Sequence, residues 1–289
     1  MRDTSSGNLA LITQMKNDPI EAIQTAGLTI PPCPQVLIDI QQVLQDPDSE
    51  NQVIVRLIGR DIKLAAMVFK LANSAIYARR KKFDNLDQAV AVVGRRAIGN
   101  IVKAAALRTS LGGPDPRLDG FWNRSMDIAM LCSIVAEKAP NPGALSPEQA
   151  FTVGMFHDSG VAVLIQHFPG YCKAFAASKL PLPDILEQDA IFRTSHCLVG
   201  QMVAREWNVP DFVLETIRFH HSPLEIVPAG CIRAVATLLM SAHIANVRKK
   251  LKDDAWLQHR VPVIAVLGLN EDTLEEFERE VWNSFEVLH

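Results

Sequence analysis

Asp61-Ile62-Lys63-Leu64-Ala65-Ala66-Met67-Val68-Phe69-Lys70-Leu71-Ala72-Asn73-Ser74-Ala75 is the stretch on which the fold is decided. Ile62, Ala65, Phe69 and Ala72 fall on one face of a helix, and Leu64, Met67, Val68 and Leu71 on another, with only Lys63 and Lys70 marking a wet edge. A helix so apolar around its girth is expected at the centre of a helical core. Ser195–Trp207 repeats the pattern with Val199, Gly200, Val203 and Trp207. Helix starts are well written. Ser49 followed by Gln52, and Ser146-Pro147-Glu148-Gln149, both fit a capping box, with Pro147 at the first helical position. Asn270 caps a last helix whose first turn holds Glu271 and Asp272. Alternating strand patterns are nearly absent. Val261–Leu269 is the one short β-like run, and Pro262 and Gly268 weaken it. The expected fold class is all-α.

The 289 residues suit one large or two smaller domains, and 48% apolar with 21% charged residues is ordinary globular composition. A net charge of −3 argues against a nucleic-acid binder working through a broad basic face. Cys33, Cys132, Cys172, Cys197 and Cys231 are odd in number and never spaced as CxxC, so neither a disulfide framework nor a zinc ribbon is expected. Met1 to Leu11 lacks an apolar leader. No apolar run reaches the ~18 residues of a membrane span. Ala89–Leu107 is broken by Arg95 and Arg96, and Ala234–Val247 by His243. A cytoplasmic protein with neither membrane nor nucleic acid as partner is the expectation.

The histidines are unevenly placed. His157-Asp158 forms an HD pair, His196 follows, and His220-His221 closes the series. Imidazole and carboxylate are ligands for Zn, Mn or Fe, and an adjacent pair at a helix end can aim both side chains at one ion. Buried histidines satisfied by ordinary hydrogen bonds remain the open alternative.

An ordered string of motifs carries a resemblance. Ile30-Pro31-Pro32-Cys33-Pro34 opens it, Asp46-Pro47, Asp61 and Leu71-Ala72-Asn73-Ser74-Ala75 continue it, and Val93-Gly94, Trp122 with Ser125, His157-Asp158, His196 with Gly200, Trp207 with Pro210, and His220-His221 complete it. The chain resembles HDOD domains, which belong to the HD superfamily of metal-dependent phosphohydrolases. The resemblance implies an HD-domain-like helical bundle over residues 30–222, with an N-terminal helical part (30–112) and an HD-like part (120–222). A helical lead-in over 1–29 and a C-terminal helical extension over 223–289 flank it. It also implies a signalling module, without an enzymatic activity established for the family in general, that acts with a protein partner in two-component or cyclic-di-GMP pathways of bacteria.

Two departures bear on function. Arg124 stands where catalytic relatives place their first histidine ligand, and His243 where they place a late aspartate. A guanidinium only donates and cannot bind a metal. Arg124 is therefore expected to form a bidentate pair with Asp158, replace the metal's charge and hold the old site shut. The expected function is a non-catalytic regulatory module with a degenerate metal site and no cofactor, binding a protein partner or small ligand. The alternative is a metal-dependent phosphohydrolase acting on a nucleotide or cyclic dinucleotide through a divalent transition metal on His157, Asp158, His196, His220 and His221, with His243 as a sixth ligand. An adaptor without any ligand is a third reading. Asn73, Ser74, Arg79, Arg80, Arg95 and Arg96 are candidate contacts. Asn73-Ser74 suits a helix end, Arg79-Arg80-Lys81-Lys82 suits a solvated loop, and Arg95-Arg96 at a helix start opposes the dipole unless an anion is near.

Overall fold

The computed structural model describes residues 27–73, 82–112, 118–140, 145–168, 170–172, 184–251 and 253–288. Among them every regular element is helical, so the all-α expectation holds. The N-terminal part contains α1 (Gln35–Gln45), α2 (Asn51–Ile58), α3 (Ile62–Ala72), α4 (Leu86–Val93) and α5 (Arg95–Gly112). The HD-like part contains α6 (Asp119–Lys138), α7 (Pro147–Phe156), α8 (Ser159–His167), α9 (Ile185–Phe192), α10 (His196–Glu206) and α11 (Asp211–Phe219). After a 3-10 turn at Leu224–Ile226 come α12 (Ile232–Arg248), α13 (Asp254–Leu267) and α14 (Glu271–Leu288).

The local chemistry explains where these helices begin. Asp61 accepts from the backbone N–H of Lys63 and Leu64 at the head of α3. Ser146 and Gln149 form the expected reciprocal capping box, with Pro147 opening α7. Ser195 caps α10 through Leu198 N–H, and Asn270 caps α14 through Thr273 N–H at 2.9 Å. Ser49, by contrast, is not a cap. Its hydroxyl donates to the Val43 and Asp46 carbonyls, and α2 starts after Glu50 without a side-chain cap. Val261–Leu269 is no strand either. It completes α13, whose buried Trp256, Val263, Ile264 and Leu267 outweigh the hydrogen bond lost at Pro262.

The centre of the molecule is not α3. Only Leu64, Val68 and Ala72 of that helix are buried, and Ile62 is 84% exposed. Its apolar girth exceeds what its neighbours, mainly α5 with lesser contacts from α2 and α4, cover. The centre is the antiparallel pair α6 and α7, with α12 laid against both. Packing and side-chain hydrogen bonds join the halves. Helix α5 packs on α7 and α8, and the indole of buried Trp207 donates to the Pro31 carbonyl at 3.0 Å.

The tightest crossing is between α8 and α10. A methyl group on Gly160 would lie 2.1 Å from the His196 carbonyl oxygen and 2.6 Å from Gly200 N. Gly200 in turn faces Gly160 N and Ser159 Oγ at 3.3 Å. Both clashes are with backbone, which cannot swing away as a side chain would. Gly160→Ala is expected to destabilise the fold by about 1–3 kcal/mol or more, as overpacking does. Urea denaturation checks this, and an unchanged midpoint would show that the two helices separate freely.

Candidate functional site

Three chain segments deliver the histidines to one place. His157 ends α7 and Asp158 precedes α8, His196 is the first residue of α10, and His220 and His221 follow α11. His157, His196 and His220 are buried, and His221 is exposed to the adjoining cleft. Each buried ring is held by its Nδ1. His157 Nδ1 donates to the Gly154 carbonyl (2.6 Å) and His220 Nδ1 to the Ile217 carbonyl (2.7 Å), each three residues back in its own helix. His196 Nδ1 donates to Asp189 Oδ2 (2.6 Å). Carbonyls and carboxylates only accept, so a proton sits on each Nδ1 and Nε2 is the ring atom left facing inward, where a metal would take it up in place of a second proton. Asp189 is itself held by the Tyr171 hydroxyl (2.6 Å) and the His196 backbone N–H.

The inward atoms converge. Asp158 Oδ2 lies 3.0 Å from His157 Nε2, and Asp158 Oδ1 lies 3.4 Å from His220 Nε2 and 3.6 Å from His196 Nε2. His196 Nε2 stands 3.1 Å from His221 Nε2 and 3.4 Å from Cys197 Sγ. Burial alone would raise the Asp158 carboxyl, but His157, His220 and His196 hold it well below the usual carboxylate range. Burial would likewise raise the Cys197 thiol, and His220 and His196 bring it down to about 6. Asp158 Oδ1 and His220 Nε2 are buried with no hydrogen-bond partner. An unsatisfied buried polar atom costs about 1–3 kcal/mol. Two orphaned ligand atoms, inward imidazole nitrogens close together and a second layer that fixes each ring are the features of a metal centre. The donor set fits a divalent transition ion.

Residues 30–223 match the model of the HDOD domain. The chain belongs to the HDOD family. A relative from Treponema pallidum (strain Nichols), itself uncharacterised, is 29% identical over 197 residues, 67% of this chain and 38% of the relative, so the chain spans well under half of that protein. The fold matches an HDOD domain protein of unknown function from Geobacter sulfurreducens with a TM-score of 0.67 at 22% identity, over 92% of this chain and 95% of that one. It matches a candidate signal transduction protein from Marinobacter aquaeolei VT8 with a TM-score of 0.68 at 22% identity, over 90% and 58% of the two chains. A candidate metal-dependent phosphohydrolase from Shewanella amazonensis SB2B gives 0.63 at 20% identity, over 93% and 96%.

His157, Asp158, His220 and His221 of the HDOD cluster form the floor of a cleft of about 860 Å³ walled by α6, α12 and the start of α13. Arg124 stands in that wall, but its expected pair with Asp158 does not form. Asp158 is turned to the imidazoles, while Arg124 Nη2 donates to Asn246 Oδ1 at 2.9 Å and Nη1 is buried without a hydrogen-bond partner. Burial works against the charged form of Arg124, and Asp158, Asp127 and Asp253 offset it from a distance. His243 lines the same cleft without joining the cluster. Its ring stacks on Trp256 (centroids 4.0 Å apart), Nδ1 faces Asp253 at 2.8 Å and Nε2 faces Glu278 at 3.4 Å. Both nitrogens are thus taken up by carboxylates of the C-terminal helices and their lead-in.

The remaining candidates lie elsewhere in the HDOD fold. Asn73 pins Phe83 by a double backbone contact, accepting from its N–H (2.6 Å) and donating to its carbonyl (3.3 Å), which is a structural role. Arg95 meets no anion. It donates to the Val43, Asp46 and Ser49 carbonyls and so ties the α1–α2 turn to α5. Arg96 is exposed on the rim of a separate shallow depression between α5 and α7. Ser74, Arg79 and Arg80 lie outside the described residues. Sequence reasoning missed Asp189, seven residues before His196, and Asn246. The signal for Asp189 is an acid buried in α9, which only the fold discloses. Cys197 was visible beside His196, but its direction was not.

The His243 contacts give a pH signature. Burial alone would lower this imidazole, but Asp253 and Glu278 raise it above its ordinary value. A raised histidine stabilises fully below its unfolded value of about 6.5, and that contribution is lost as pH rises through the folded value. His243→Gln is expected to cost more stability near about pH 6 than near about pH 9. Urea titrations of both proteins at the two pH values read it, and equal costs would contradict a charged His243.

Proposed function

We propose that this HDOD protein is a regulatory module that holds one divalent transition-metal ion and recognises a phosphorylated small ligand in the cleft above it. His157, Asp158, His196, His220 and His221 would hold the ion. The observation that carries the reading is the pair of orphaned buried atoms, Asp158 Oδ1 and His220 Nε2, at the floor of a cleft whose wall holds the half-satisfied guanidinium of Arg124. Once bound, the ion supplies a Lewis acid for a phosphoryl oxygen. Arg124, oriented by Asn246, offers further N–H donors to the same anion, as guanidinium does in phosphate recognition. Lys250 stands at the rim, beside Lys249, which is paired with Asp127.

Recognition is favoured over cleavage by the number of donors. The cluster has one carboxylate and four imidazoles, suited to one ion, whereas a two-ion clamp stabilises both the attacking and the leaving oxygen. The residues that would complete a second site are Arg124, which cannot coordinate, and His243, which is engaged by Asp253 and Glu278. The likeness in fold to a candidate signal transduction protein accords with this, and the output would pass to a separate protein partner in a two-component or cyclic-di-GMP pathway of the bacterial cytoplasm. Hydrolysis is the second reading. It draws on the open cleft and on the likeness in fold to a candidate metal-dependent phosphohydrolase.

Elemental analysis of the full chain, purified without chelator or metal-affinity tag, is expected to find one transition ion per chain, lost in Asp158→Ala and His220→Ala. Calorimetry with inorganic phosphate and with cyclic dinucleotides is expected to show binding without release of phosphate or of a linear product. Arg124→Met should weaken that binding while leaving stability unchanged or raising it by roughly 1–4 kcal/mol, since a buried, incompletely paired cation is removed. A metal-free wild type overturns the reading, and steady product release replaces it with hydrolysis.

A further inference from the structure

We propose that Cys197 is a ligand of the same ion, making the centre a mixed imidazole–carboxylate–thiolate site that selects zinc-class metals over magnesium and manganese. The proposal rests on the metal reading above and specifies the ion it takes. Cys197 is the second residue of α10, one position after His196, so the helix start that aims the imidazole also aims the thiol. Its Sγ lies 3.4 Å from His196 Nε2. Three donors surround that nitrogen at comparable range, an imidazole (His221 Nε2, 3.1 Å), a carboxylate (Asp158 Oδ1, 3.6 Å) and the thiol between. Donor atoms bound at about 2.0–2.3 Å to one tetrahedral ion lie roughly 3.3–3.7 Å apart. His196, Cys197, His220 and His221 each offer a ligand atom within 4.8 Å of the others.

Two independent features point the same way. His220 is buried beside the thiol, its Nδ1 3.9 Å from Sγ, and its Nε2 lies 3.4 Å from Asp158 Oδ1 without a hydrogen bond, so this ring brings to the shared pocket a nitrogen that a cation can use. Cys231 donates to the Pro228 carbonyl, and Cys132 is fully buried in α6, neither of them within the cluster. A thiolate is a soft donor that selects Zn(II) and its neighbours, whereas oxygen-rich sites suit Mg(II) and Mn(II). On binding, the thiol gives its proton to solvent and the sulfur lone pair goes to the metal. A thiolate also lowers the net charge of the bound ion, which favours holding a ligand over activating water.

Cobalt(II) titration of the full chain reads the ligand directly. The wild type and Cys231→Ser are expected to show a near-ultraviolet sulfur-to-cobalt charge-transfer band at one equivalent, and Cys197→Ser is expected to lack it. Zinc affinity, measured against a chelating indicator, should fall in Cys197→Ser by more than the 10–100-fold typical of losing an outer-layer partner, while manganese affinity changes little. Cobalt binding by the wild type without the band, or equal zinc affinity in Cys197→Ser, removes Cys197 from the site and leaves the metal reading standing. No cobalt or zinc bound by the wild type defeats both. If Cys197→Ser fails to fold by circular dichroism, the wild-type spectrum alone decides.

Discussion

The approach of α8 to α10 at Gly160 and Gly200 is the constraint on which the site depends. Asp158 precedes one helix and His196 begins the other, so the distance between those helix starts sets the distance between carboxylate and imidazole. With a side chain at Gly160, the His196 carbonyl would have to move by more than an ångström. The 3.6 Å spacing between Asp158 Oδ1 and His196 Nε2 would then be lost. Packing and chemistry are therefore a single requirement here. The HD pair and the histidine 38 residues later meet because two glycines let backbone touch backbone.

A second layer of hydrogen bonds turns that proximity into direction. Both His157 and His220 spend their Nδ1 proton on a carbonyl of the last turn of the helix they follow, one of the groups that a helix end leaves without an intrahelical donor. His196 lies at a helix start, where no such carbonyl is available, and uses Asp189 instead. The same rule, that buried donors must find acceptors, thus fixes three rings from three different backbone settings. The cost is left at the centre, where Asp158 Oδ1 and His220 Nε2 face each other at 3.4 Å without a hydrogen bond. A fold that satisfies its outer layer so fully and leaves the inner atoms bare has placed its unsatisfied polarity where a cation can use it.

Much of this was legible in the sequence because it is local. The all-α class follows from helical periodicity, the capping box at Ser146 and Gln149 from four adjacent residues, and the five cluster residues from the HD, His and His-His motifs. What was illegible is what distant segments decide. Arg124 was expected beside Asp158, but its acceptor is Asn246, 122 residues away on α12, and no local pattern encodes that choice. His243 fell at a position suggesting a ligand, and Asp253 and Glu278 claim both its nitrogens from helices that fold back over it. The Asp61–Ala75 segment was expected at the centre because it is apolar all round. Periodicity tells how much surface a helix would bury, but not how much its neighbours cover.

Those distant contacts also bear on whether the cleft cleaves or recognises. A hydrolytic pocket needs groups that accept and release protons beside an ion with room for water. In this chain the cleft wall offers a guanidinium that keeps its proton and an imidazole locked between two carboxylates and stacked on Trp256. Neither can shuttle a proton to a leaving group without first breaking the contacts that hold the C-terminal helices in place. The cleft wall is instead joined to those helices by direct contacts. Asn246, which orients Arg124, sits on α12, and Lys249 one turn later pairs with Asp127 of α6 at 2.7 Å. An anion that drew the bare Nη1 of Arg124 toward it would strain the bond to Asn246, whose helix α12 packs on α13. On the proposed regulatory reading, this chain of contacts is the route by which binding in the cleft would bias the position of the outer helices.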